Sequence, residues 1–368
     1  MRVRHSALRH VRVMALFSHP MPELPDVTVY VEHLENLLGG QVLRNVRLAS
    51  PFVLRSVAPP LRDVEGRRLT AMSRLGKRLV FCFEGNLFLV LHLMIAGRLR
   101  WRKAGAAIPK KLGLLAMDFD AGTLLLTEAS PKKRAWIRLV AGREAVQALD
   151  PGGLEPLAAS REAFETRLRS ENHTLKRALT DPTLFSGIGN AYSDEILHAA
   201  KLSPVALTSR LSEAEVTRLH AAVRDTLLEW TDRLRRDAGD GFPEKVTAFR
   251  PEMAVHGKFG KPCPACGTPV QRIVYADSET NYCPTCQTGG KLLADRSLSR
   301  LLHGDWPKSL EEMEERKDAA REDGRSTWPS GTSPSAAPRR ERGPSSPPRA
   351  SPSSACRGRG ERRRGRRV

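Results

Sequence analysis

Val27, Val31, Leu34 and Leu38 recur at spacings of four, three and four, the stripe of an amphipathic helix. From Gln41 to Val140 the pattern changes to short apolar runs: Val42–Leu48, Leu69–Ala71, Leu79–Phe83, Leu87–Leu91, Leu114–Phe119, Thr123–Thr127 and Trp136–Val140. These predict strands, with turns at Glu84-Gly85-Asn86 and Asp120-Ala121-Gly122. So many short strands at close spacing predict a β-sandwich with the opening helix packed against it. Pro151-Gly152-Gly153 and Pro156 mark a linker over residues 141–158. Helical periodicity follows at Arg161–Ser170, around Thr174–Thr180, at Ala191–Ala200 and at Ser212–Arg236. Ser203-Pro204 stops the third helix, and Ser212 with Glu215 makes a capping box for the fourth. Asp237–Pro262 reads as a mobile, Gly/Pro-punctuated loop, and a cysteine cluster comes after it.

The expected architecture is therefore an α+β multidomain chain. Residues 1–20 form an extension or a misassigned start, 21–140 a helix plus β-sandwich, 141–158 a linker, 159–257 a helical domain, 258–302 a cysteine finger and 303–368 a C-terminal segment. The last of these turns into Ser, Pro, Gly and Arg from about residue 323 and is expected to be disordered.

The 368 residues carry a net charge of +19 and 40% apolar residues, with no run of eighteen apolar residues to suggest a membrane span. The charge is concentrated at the ends. Residues 1–20 hold four Arg and no acid, and residues 326–368 hold eleven Arg against Glu341 and Glu361, which leaves +6 for the body. A moderately basic body suits a polyanion binder. The tail is expected to add non-specific phosphate attraction at most, a solvated tail being the plainer reading. Residues 1–20 lack a secretory apolar core, but their Arg-rich, acid-free composition also fits an organellar transit peptide. A misassigned start is preferred over that reading and over a true extension.

Cys263-x2-Cys266 and Cys283-x2-Cys286, sixteen residues apart, have the spacing of a four-thiolate zinc site. Four protein ligands close the coordination shell, so the metal is expected to be structural and to hold the hairpin 267–282. Cys82 reads as a small core residue, and Cys356 lies in the tail. Gly187-Ile188-Gly189-Asn190 sits between two helices, where free backbone N–H groups and Asn190 can meet a phosphate, although an ordinary inter-helix turn reads the same way. Arg74-Leu75-Gly76-Lys77-Arg78 and His92-Leu93-Met94-Ile95-Ala96-Gly97-Arg98 are a basic turn and a His-bearing strand end. Met21-Pro22-Glu23-Leu24-Pro25-Asp26 reads either as a helix start or as something more reactive. Trimmed to Pro22, the chain would begin with a secondary amine able to form an iminium ion with no cofactor. Inside a chain the same nitrogen is an amide and inert.

In this order, from Met21 to about Leu302, these motifs resemble the formamidopyrimidine-DNA glycosylase and endonuclease VIII family, and Leu24-Pro25-Asp26 favours the formamidopyrimidine branch. The resemblance implies a helix–two-turn–helix domain after the sandwich, a zinc-finger hairpin, and damaged double-stranded DNA as the partner of a monomer. The compartment is cytoplasmic and nucleoid-associated in a bacterium, with organellar targeting by residues 1–20 the other option. It implies removal of oxidised purines with strand cleavage. Pro22 is the expected nucleophile at C1′, Glu23 the acid/base, and Lys77, His92 and Asn190 the holders of phosphates beside a flipped base. Three positions depart from the family pattern. Ser278 stands where the family has a finger Arg, leaving Gln271, Arg272 or Asn281 as substitutes. Ile95 replaces the wedge Met. Pro131-Lys132-Lys133-Arg134 replaces an Arg-Arg-Phe loop, without its aromatic. Two other readings stand beside this one: excision of oxidised pyrimidines, and non-catalytic binding of damaged or abasic DNA.

Overall fold

The computed structural model describes residues 21–244, 250–275, 278–293, 307–309, 311–313, 315 and 316. The expectations for residues 1–20 and for the basic tail lie outside the described residues. Helix α1 (Leu24–Leu38) has Pro25 in its first turn, where a missing N–H costs nothing, and Asp26 Oδ2 accepts the Glu23 N–H at 3.0 Å. Its buried face divides between two cores. Leu24 belongs to a helical cluster, whereas Val27, Tyr30, Leu34 and Leu38 pack into the sandwich.

The sandwich has two four-stranded antiparallel sheets. One has the order β1-β6-β7-β5, from β1 (Leu43–Leu48), β6 (Gly113–Phe119), β7 (Gly122–Glu128) and β5 (Gly97–Arg102). The other has the order β2-β3-β4-β8, from β2 (Leu69–Leu75), β3 (Arg78–Phe83), β4 (Leu87–His92) and β8 (Trp136–Ala141). Leu79, Phe81, Leu89, Leu91, Ile137 and Leu139 face the core between the sheets. On the opposite face Val80, Phe88, Val90 and Trp136 form a second cluster, with Val146 and Leu149 packed over it. Apolar cover on both faces explains why β3 and β4 read as unbroken apolar runs.

Two elements were not expected. Strand β5 alternates Gly97, Leu99 and Trp101 with Arg98, Arg100 and Arg102, and the arginines hide a period of two. Arg100 and Arg102 both pair with Glu244, so two of the three arginines on that face share one carboxylate from a distant loop. Within the linker, α2 (Arg143–Gln147) is a helix with no buried residue of its own.

The helical part contains α3 (Arg161–Arg169), α4 (Leu175–Thr180), α5 (Asn190–Ala199) and the long α6 (Glu213–Ala238). Ser212 and Glu215 cap α6 reciprocally, as the sequence predicts. Arg235 of α6 grips Glu32 of α1 through two contacts of 2.9 and 2.6 Å. Beyond it, β9 (Gln271–Val274) and β10 (Glu279–Tyr282) form the finger hairpin, and α7 (Pro284–Thr288) carries the last cysteine. The segment expected to be a mobile loop is pinned over residues 254–256. Glu195 accepts the N–H groups of Ala254, Val255 and His256 at 2.7, 2.9 and 2.9 Å.

Leu24 is fully buried at the seam of the two cores, so Leu24→Ala should cost about 2–4 kcal/mol in a urea unfolding measurement. A loss below about 1 kcal/mol, the range of a tolerated core swap, would remove α1 as the bridge between them.

Candidate active site

Glu23 precedes α1 and is buried, 2% exposed, among polar partners. Its Oε2 accepts from Gly189 N at 2.7 Å and Tyr192 N at 3.2 Å, and Oε1 accepts from Ala191 N at 2.9 Å. These are N–H groups at the start of α5, which no earlier helical carbonyl can satisfy. Of the N–H groups expected to be free in Gly187–Asn190, that of Gly189 is thus occupied by a carboxylate of the same chain. Negative charge at a helix N-terminus is favourable, and such charge-assisted hydrogen bonds are worth ~1.5–3 kcal/mol each. Gly187 adds a backbone tie, since its carbonyl accepts Leu24 N at 2.9 Å. Pro22 lies buried next to Glu23. Asp26, which holds the Glu23 amide, has its carboxyl pushed up to about 6 by burial.

The approach of the two parts explains the second glycine. A Cβ on Gly189 would stand 2.5 Å from Glu23 Cδ and 2.6 Å from Lys77 Nζ, closer than real Cβ contacts allow. One glycine therefore has the carboxylate and an ammonium against it. Lys77 lies in the β2–β3 turn, half-buried, where burial pulls its ammonium below the ordinary value while Glu23 opposes that shift. His92 ends β4, and its Nδ1 accepts Met94 N at 2.9 Å. Burial, then Arg78, Lys77 and Arg55, drive His92 down to about 3. The ring is neutral near pH 7, with its proton on Nε2, and serves as an uncharged donor.

The remaining expected residues are spread around this centre. Asn190 Nδ2 donates to the Glu279 carbonyl of the finger at 3.0 Å. Ile95 sits half-buried in the β4–β5 turn. Lys132, Lys133 and Arg134 are exposed, on a loop folded around buried Glu128, which accepts from Arg134 N and Ala135 N at 2.8 and 3.0 Å. Ser278 is exposed, its carbonyl accepting Tyr275 N in the hairpin turn. Of the three substitutes, Asn281 is buried against Asp194, Gln271 Nε2 bonds Pro269, and Arg272 stacks on Phe259 at 4.4 Å while pairing with Glu279.

Sequence reasoning missed the residues that assemble this region. Asp194, fully buried on α5, takes Lys176 Nζ at 2.5 Å, His256 Nδ1 at 2.8 Å and Asn281 N at 3.2 Å. Consecutive acids, Asp194-Glu195, flanked by Ala191-Tyr192 and Ile196-Leu197 in a short helix were the available signal. The four thiolates fit a metal: Cys263, Cys266, Cys283 and Cys286 have sulfurs within 4.8 Å of one another. A tetrahedral zinc with bonds of ~2.3 Å needs sulfurs about 3.8 Å apart. Cys263–Cys286 is 3.9 Å and Cys266–Cys283 is 3.4 Å. The cluster holds one structural zinc ion.

The site thus joins a sandwich and a helical part through a buried carboxylate at a helix N-terminus, with a lysine against the same glycine and a four-thiolate zinc finger braced on that helix. Family models match all three parts: the formamidopyrimidine-DNA glycosylase N-terminal domain over residues 21–135, its H2TH domain over 153–233, and the zinc finger found in FPG and IleRS over 260–289. The formamidopyrimidine-DNA glycosylase of Thermus thermophilus is 36% identical over 281 residues, spanning 73% of this chain and 100% of the relative. A formamidopyrimidine-DNA glycosylase-like protein of Mycobacterium tuberculosis is 44% identical over 163 residues, 44% of this chain and 99% of its own length. Among solved structures, the Lactococcus lactis enzyme in complex with abasic-site DNA matches with TM-score 0.65 and 27% identity, over 72% of this chain and 99% of that one. The chain belongs to the formamidopyrimidine-DNA glycosylase family and is a base-excision-repair DNA glycosylase. No helix among the described residues is long and apolar enough to cross a membrane.

Gly189→Ala should drive the Glu23 carboxylate and Lys77 apart. The expected outcome is at least a hundredfold loss of excision rate with near-normal zinc content, and wild-type rates would refute the close approach. Lys77→Ala should also lower the slope of log affinity against log salt by ~0.9, as one lost phosphate contact. His92→Ala should weaken DNA binding equally at every salt concentration near pH 7, because the ring carries no charge. A salt slope altered by the His92 change would mean the ring is protonated.

Proposed function

We propose that this chain excises oxidised purines, 8-oxoguanine and formamidopyrimidines, from duplex DNA as a monomer and then cuts the strand as an abasic-site lyase. The reading rests on one observation: Pro22 is buried next to a carboxylate fixed by three backbone donors, with Lys77 against the same glycine. The Lactococcus lactis relative has been crystallised with DNA containing Fapy-dG, with DNA containing an oxidised pyrimidine and with abasic-site DNA, which supports damaged and abasic DNA as the partner, while the choice of purine lesions rests on Leu24-Pro25-Asp26.

The chemistry starts with Pro22 as the first residue of the chain, since acylation by Met21 ties up the nitrogen lone pair. The amine adds to C1′ of the lesion nucleotide. Protonation of the sugar ring oxygen by Glu23 opens the ring, and the glycosidic bond breaks as its electron pair leaves with the base, which takes up a proton. The resulting iminium acidifies C2′. Loss of that proton breaks the bond to the 3′ oxygen, and a second elimination releases the 5′ side. Glu23 is suited to carry these protons because its two oxygens are held in place while, among the described residues, no cationic side chain forms a close ion pair with it. Lys77 and His92 grip flanking phosphates, one as a charge and one as a neutral donor, and Lys132, Lys133 and Arg134 present further donors from an exposed loop.

The test uses two forms of the chain, one beginning at Met1 and one beginning at Pro22, each incubated with borohydride and duplexes carrying 8-oxoguanine, a formamidopyrimidine or an oxidised pyrimidine. The Pro22 form should trap a covalent adduct, most strongly on the purine lesions, and Glu23→Gln should lose excision while remaining folded. Equal trapping by a full-length chain shown by mass to be unprocessed would falsify the Pro22 mechanism. Stronger trapping on the oxidised pyrimidine would move the substrate to the other branch of the family.

A further inference from the structure

The outer face of the β2-β3-β4-β8 sheet carries a group of cations that the reaction outlined above does not use. Strand register sets Arg78 opposite His92 and His92 opposite Trp136, so the three side chains form one row across β3, β4 and β8 on a single face. Arg138, two residues beyond Trp136, shares that face. The chain at residues 54–56 lies along β8 as an added edge: Leu54 bridges to Ile137, and Arg55 N donates to the Ile137 carbonyl at 2.8 Å. The result is that three guanidiniums surround one indole. Arg55, Arg78 and Arg138 lie 5.4, 5.8 and 5.9 Å from the Trp136 ring centre, and the His92 ring lies 5.6 Å away.

None of these three arginines is ion-paired with a carboxylate among the described residues. Asp150 favours the charge of Arg78 from a distance only. By contrast, five other arginines of the sandwich, Arg44, Arg47, Arg74, Arg100 and Arg102, each hold a carboxylate. Arg78 also has a buried Nε with no partner, although its Nη1 donates to the Leu149 carbonyl. The indole face supports cations brought close together, through its quadrupole, but does not neutralise them. Among the described residues Arg55 and Arg138 likewise donate only to backbone carbonyls, of Arg134 and Arg55, so three forked donors with no carboxylate partner, one with a buried unpartnered Nε, have the chemistry of a phosphate receptor.

We propose that the Trp136 cluster is a second phosphate site, gripping the DNA backbone beyond the phosphates assigned to Lys77 and His92. The inference rests on the DNA reading above and extends it outward. Lys77 adjoins Arg78 at the start of the row, and Trp136 lies two strand spacings further on, roughly 10 Å. The row therefore begins beside Lys77 and runs away from it across the sheet. It contacts the backbone only and should not discriminate between sequences.

The experiment measures binding of undamaged duplex by fluorescence anisotropy over a range of salt. Arg55→Ala combined with Arg138→Ala should weaken affinity and reduce the slope of log affinity against log salt by ~1.8, the share of two phosphate contacts. Arg55→Lys with Arg138→Lys should keep that slope, because the charge remains. Should the double alanine variant lose its far-UV circular dichroism, Arg55→Ala alone, at an exposed side chain, should still lower the slope by ~0.9. An unchanged slope in the alanine variants overturns the site, as does a lysine pair that falls as far as the alanine pair. Undamaged duplex keeps this test separate from the glycosylase reading: absent borohydride trapping would sink the Pro22 mechanism and leave the salt comparison standing.

Discussion

The carboxylate of Glu23 sits where a helix would ordinarily be capped by a residue of its own segment. It accepts three amides at the start of α5, from a position 166 to 169 residues earlier in the chain. Two requirements are met by one contact. The helix N-terminus gains a full negative charge, and the side chain beside Pro22 is held at both oxygens. Close approach is possible because Gly189 has no Cβ to intervene. Displacing the helix from the sandwich would break three charge-assisted hydrogen bonds at once.

Helix α5 transmits this constraint onward to the finger. Its first residue, Asn190, bonds the Glu279 carbonyl, Asp194 binds Asn281 and His256, and Glu195 takes three amides of residues 254–256. Further along, His198 Nε2 lies 3.2 Å from Cys263 Sγ, and Gln287 donates to the Leu202 carbonyl while accepting from Cys283 N. A single ten-residue helix thus carries the cap for Glu23 at one end and the zinc finger along its side. The structural zinc acts on the site through this route, by holding the hairpin that Asn190 and Asp194 grip.

Local patterns in the sequence reported local structure well. The stripe of α1, the β3 and β4 runs, the capping box of α6 and the cysteine spacing each depend on neighbours in the chain, and each is present in the fold. What the pattern missed depends on distant partners. Strand β5 was hidden because two of its arginines find their carboxylate, Glu244, some 140 residues away. The glycine-rich turn was readable as a turn, but its amides looked free because Glu23 is so remote in sequence. Asp194 and Glu195 look like exposed helix acids until the finger and the 254–256 segment are placed over them. The pinning of that segment was invisible for the same reason.

The central claim is that Glu23 caps α5, and amide hydrogen exchange followed by NMR tests it most directly. In the unsubstituted protein the Gly189, Ala191 and Tyr192 amides should be strongly protected. In Glu23→Ala these three should exchange far faster, while amides in the last turn of α5 and in β4 keep their protection. Unchanged protection at Gly189, Ala191 and Tyr192 in the variant would contradict the account.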